Sequence, residues 1–112
     1  MRYCPRRDAD APDGEVAKME ARVRFNRGYH DAALQFSLGK PRKVVLQGPA
    51  SPTVCSFEYD PDYAAGYFAG LAHSAWGMYA GNSDSAWNDH LASKYSQAAL
   101  DIVNEDVAKA LR

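Results

Sequence analysis

This sequence of 112 residues is short of the features that most quickly identify a small protein. It has two cysteines, Cys4 and Cys55. That is too few for a disulfide-stapled mini-protein, and they match no metal-ligand spacing, which predicts free thiols and no metal. It lacks a P-loop, G-x-S-x-G, H-E-x-x-H and C-x-x-C, so no cofactor or catalytic motif is expected. His30-Asp31 and Asp89-His90 are adjacent pairs, but neighbours on a helix point in different directions and make no dyad. A thiol enzyme would need Cys55 brought to a distant histidine, and a small thiol- or His-dependent enzyme is therefore the weakest alternative. No apolar stretch follows the basic start Met1-Arg2-Tyr3-Cys4-Pro5-Arg6-Arg7, which predicts no export signal and a cytoplasmic location. Net charge is -1, which excludes a bulk polycation.

The near-neutral total conceals a division. Residues 1–56 hold ten Lys/Arg against six Asp/Glu, and residues 57–112 hold three against eight. Either the halves neutralise one another in the fold, or each meets its own partner. Arg22, Arg24, Arg27, Arg42 and Lys43 belong to the basic half and, with aromatics to stack on bases, make nucleic-acid binding an alternative function.

The hydrophobic content of 46% suits one domain with a core. Residues 1–13 are polar and carry Pro5 and Pro12, and read as a flexible N-terminal arm, leaving 14–112 as one compact domain. From Asp13, a candidate N-cap, Val16, Met19, Val23, Tyr29, Ala33 and Phe36 follow a helical period, and Gly39 and Pro41 stop it. Lys43–Gln47 and Thr53–Tyr59 are β-branched or aromatic runs flanking Gly48-Pro49-Ala50-Ser51-Pro52, which predicts a β-hairpin. Asp60-Pro61-Asp62 starts a helix running to about Ala80. Another begins near Ser83, with Trp87, Leu91, Tyr95, Ala98 and Ile102 as its apolar stripe. Asn104 is a candidate cap for a short final helix. The expectation is an α+β fold: helix, β-hairpin, then two or three C-terminal helices.

Tyr63 to Ala80 contains no charged residue. Its Ala and Gly content makes a poor membrane span, so no membrane partner is expected. Gly66, Gly70, Ser74 and Gly77 draw a small-residue stripe that admits a second backbone closely, either the last helix of the same chain or the partner helix of a homodimer. A weak repeat lies at an offset of 38 residues, where Phe25-Asn26-Arg27-Gly28-Tyr29 echoes Tyr63-Ala64-Ala65-Gly66-Tyr67. Gly with an aromatic three before and one after suits two helices that cross at matched sites.

This aromatic-x-x-Gly-Tyr element, on a small near-neutral domain without catalytic residues, resembles short helical motifs of bacteriophage-encoded accessory proteins, among them anti-CRISPR and related anti-defence inhibitors. The resemblance implies a non-enzymatic protein that binds and blocks a protein or ribonucleoprotein complex in the host cytoplasm. From the residues themselves, Trp76, Tyr79 and Trp87 are the candidate aromatic anchors, since binding energy concentrates in such side chains. Arg42 and Lys43 are a candidate second surface.

Overall fold

The computed structural model describes residues 14–92 and 95–112, with side chains placed for 19–88 and 95–112. The expected arm, Asp13, Cys4 and the His90 side chain lie outside these. The chain forms an α+β fold in the order α1 (Gly14–Ser37), β1 (Lys43–Val45), β2 (Val54–Ser56), α2 (Pro61–Ala75), α3 (Asp84–Ala92) and α4 (Gln97–Ala110).

Helices α1 and α2 form the body of the molecule. Their partners advance together, Phe25 with Gly66 and Tyr29 with Gly70, so the two helices run in the same direction. A Cβ built on Gly28 would stand 2.2 Å from the Tyr63 carbonyl oxygen, and one built on Gly66 would stand 2.0 Å from that of Phe25. The repeat of 38 residues is thus a reciprocal crossing: each glycine receives the backbone at the aromatic three residues before the other. It is α1, rather than the last helix, that fills the small-residue face. The buried face of α1 carries Phe25, Gly28, Tyr29 and Ala32, while Met19 and Val23 are exposed. The expected face is displaced because the close approach selects Gly28, which a count of apolar residues does not weigh.

Asp60 caps α2, accepting from the Tyr63 N–H at 3.3 Å. Across the crossing Arg24 holds Asp60 at 3.3 Å and Asp62 at 2.9 Å. Arg22 pairs with Asp84 at the start of α3. Part of the basic half therefore neutralises part of the acidic half within the fold.

The strands differ from expectation. They pair in parallel, Lys43 with Val54, Val44 with Cys55 and Val45 with Ser56, not as an antiparallel hairpin. One reversal gives a hairpin; this connection makes two. The first bends at Gly48, whose φ is +112°. The second is a tight turn through Pro52, in which the Ser51 N–H donates to Val54 O at 2.8 Å and the Val54 N–H donates to Ser51 O at 3.2 Å. So short a pair needs support from outside. Asn104 of α4 supplies it: its side-chain carbonyl accepts from the Val44 N–H at 3.3 Å and its amide donates to Val44 O at 2.9 Å, as a third strand would.

The C-terminal region is also redivided. Ser96 caps α4 by accepting from the Ala99 N–H at 3.2 Å, and Asn104 lies inside that helix. The buried face of α4 is Leu100, Val103 and Val107, and Ile102 is 57% exposed. These three close a core of Ala32, Val44, Cys55, Ala64, Tyr67 and Leu71.

Candidate functional site

Helix α2 ends at Ala75, five residues before the expected stop. The N–H of Trp76 donates to Ala72 O at 3.0 Å, that of Gly77 to Ser74 O at 3.3 Å, and that of Met78 to His73 O at 2.7 Å. Gly77 adopts φ +74°, a left-handed value that a side chain would oppose and that suits a helix end. Gly77 is consequently not part of the helix face, and the space around it is open. The turn delivers three large apolar residues to solvent: Trp76, Met78 and Tyr79 are 49%, 56% and 38% exposed.

They are nevertheless held in place. The Trp76 indole N–H donates to the Asp106 carboxylate on α4 at 2.8 Å. Tyr79 stacks on Tyr29, with ring centroids 5.2 Å apart and planes at 24°. Its hydroxyl is hydrogen-bonded to Nδ1 of His30 at 2.6 Å. The Tyr29 hydroxyl meets Nδ1 of His73 at 2.7 Å. Burial, and then the neighbouring Tyr79, raise the Tyr29 pKa above its ordinary value, so this phenol stays protonated. Beside Trp76 opens an apolar groove of about 390 Å³ lined by Phe68, Ala72, His73, Tyr95 and Ile102. On the other side Tyr79 and Ser74 border a shallow depression with His30 and Leu34.

The remaining expected residues lie elsewhere. Trp87 is half-buried and packs edge-on against Phe25, with centroids 5.1 Å apart, and the Arg22 guanidinium sits 5.5 Å from its ring. Its position is that of a core aromatic. Arg42 is half-buried: its guanidinium carbon lies 4.7 Å from the Tyr67 ring centroid and 5.5 Å from that of Tyr63. One of its terminal nitrogens donates to the Tyr63 hydroxyl at 2.8 Å, and its backbone N–H donates to the Tyr67 hydroxyl at 2.7 Å. Tyr63 in turn donates to Asp31 at 2.6 Å, and Tyr67 donates to Gln35. Burial opposes the Arg42 charge, but Tyr63, Cys55 and Tyr67 outweigh it and its pKa is raised. Arg42 therefore ties β1 to both large helices. Lys43 is exposed, and with Lys40 it faces Asp101 and Glu105 across a groove of about 610 Å³. Gly66 and Gly70 are occupied by α1, and Ser74 lies half-buried near the end of α2.

The pair of tyrosines against which Arg42 packs is not among the expected sites. Its signal is present all the same: Asp31 and Gln35 on α1 share the four-residue spacing of Tyr63 and Tyr67 on α2. Among the described residues no group of three or more His, Cys, Asp and Glu side chains is placed to hold a metal ion. No described helix is long and apolar enough to cross a membrane. No protein-family model, curated protein or solved structure matches the chain.

Proposed function

We propose that this chain is a non-enzymatic interaction protein that grips a macromolecular partner through Trp76 and Tyr79. The observation that carries the reading is a pair of aromatics open to solvent yet fixed by Asp106, His30 and Tyr29. Ordering a large side chain on binding costs free energy, and an aromatic already held in place avoids most of that cost. The groove beside Trp76 offers an apolar seat for a partner side chain.

Binding through the basic half is less favoured as a reading, because Arg22 and Arg24 face carboxylates and Arg42 packs against Tyr63 and Tyr67. A bacterial defence complex as the partner rests on the resemblance to phage anti-defence proteins; in this chain the aromatic-x-x-Gly-Tyr element that carries the resemblance serves the crossing of α1 and α2. The test is a plaque assay in bacteria with an active CRISPR-type system. Expression of the chain is expected to raise phage survival, and Trp76→Ala with Tyr79→Ala to abolish the gain while helicity is retained. No gain from the wild-type chain overturns the defence reading. A gain that survives the double substitution overturns the surface.

A further inference from the structure

We propose that the outward face of α1 joins two copies of this chain in an antiparallel pair. Met19, Val23, Leu34 and Leu38 are 65%, 62%, 58% and 66% exposed. At about 100° of rotation per residue they share one side of the helix, opposite the side that Phe25, Gly28, Tyr29 and Ala32 bury against α2. Leu38 continues that side just past the last turn, its N–H donating to Leu34 O at 3.1 Å.

The occupant is fixed by the spacing, which is a palindrome. The midpoint between positions 19 and 38 is also the midpoint between 23 and 34, and it falls between Gly28 and Tyr29. A second copy laid antiparallel sets Met19 against Leu38 and Val23 against Leu34, twice over. That is the self-complementarity an isologous two-fold contact requires, and a partner of unrelated sequence gives no reason for it. Exposed Arg27 lies on the same side between Val23 and Leu34 and comes within about one helical turn of Arg27 of the other copy, so the apolar pairs form the two ends of the contact and its middle is polar. The stripe is about 28 Å long, and covering it in both copies hides on the order of 1,000 Å², at the lower bound for a specific interface. A concentration-dependent dimer is the consequence. The face contains neither Trp76 nor Tyr79, though His30, which holds Tyr79, lies on it between Val23 and Leu34. Substitutions at positions 23 and 34 leave His30, Tyr79 and Trp76 in place and so test the pair separately from the proposed function.

Sedimentation equilibrium of the full chain tests it. Mass is expected to climb toward twice the monomer as concentration rises to about 100 μM, and Val23→Glu or Leu34→Glu to return it to the monomer with unchanged circular dichroism. Register is read separately in a Cys4→Ser background. An oxidised mixture of Val23→Cys and Leu34→Cys chains should cross-link several-fold more than either alone. A monomer mass at every concentration, a dimer indifferent to both glutamates, or equal cross-linking in mixture and single variants overturns the proposal.

Discussion

Gly66 lies so close to Phe25 that a Cβ built on the glycine would stand 2.0 Å from the phenylalanine carbonyl oxygen. The obstacle is helix backbone and cannot rotate away. At an ordinary exposed helix position, Gly→Ala stabilises by about 1 kcal/mol. Here the sign inverts. Gly66→Ala should destabilise by about 3 kcal/mol or more, since α1 and α2 must separate to admit the methyl group. Gly28→Ala should behave alike, and chemical denaturation of each variant measures both.

Asn104 carries a second prediction. Its side chain satisfies the N–H and the carbonyl of Val44, a residue with no solvent exposure. Asn104→Ala leaves both groups without partners and should cost about 1–3 kcal/mol. Asn104→Asp keeps the acceptor and loses the donor, so its cost should come from the Val44 carbonyl and the added charge. Hydrogen exchange at the Val44 amide separates the two: protection should fall steeply in Asn104→Ala and largely persist in Asn104→Asp.

The element order was legible because it rests on local signals. Asp60-Pro61 starts α2 where expected, and Gly39 with Pro41 closes the first helix region. What depends on distant contacts was not legible. Two turns rather than one in residues 46–53 decide that the strands run in parallel, and only Asn104, about 60 residues away in sequence, shows what holds the edge. The buried face of α1 departs from the expected one for a related reason. Apolar periodicity counts Met19 and Val23 but gives no weight to Gly28, whose missing side chain sets the crossing. Of the candidate site, Trp76 and Tyr79 were visible as aromatics, while Asp106 and His30, which fix them, lie on other elements.

The two tryptophans should respond differently to truncation. Trp87 packs edge-on against Phe25 and beneath the Arg22 guanidinium, so Trp87→Ala should cost about 3 kcal/mol. Trp76 is half exposed and its main polar contact is one hydrogen bond to Asp106. Trp76→Ala should cost about 1 kcal/mol and leave the fold intact. Thermal unfolding of the pair checks this, and a large loss from Trp76→Ala would make it a structural residue rather than an anchor.

Alkaline pH supplies the last prediction. Burial, opposed in part by Arg42, pushes the Cys55 thiol from 9.0 up to about 11. Burial, and next the hydrogen bond to Asp31, raises the Tyr63 phenol as well. Both groups hold their protons more tightly in the folded chain than in the unfolded one. The unfolded chain therefore releases protons first as pH rises, and the slope of stability against pH is negative there. Stability from Cys55 should be fully present below about pH 9 and lost as pH climbs to about 11, a loss of about 3 kcal/mol. Cys55→Ala should lower stability at neutral pH through the lost packing, yet flatten the decline between those values. Denaturant midpoints measured across that range for both proteins decide it: parallel declines would mean that Cys55 contributes nothing to the alkaline loss.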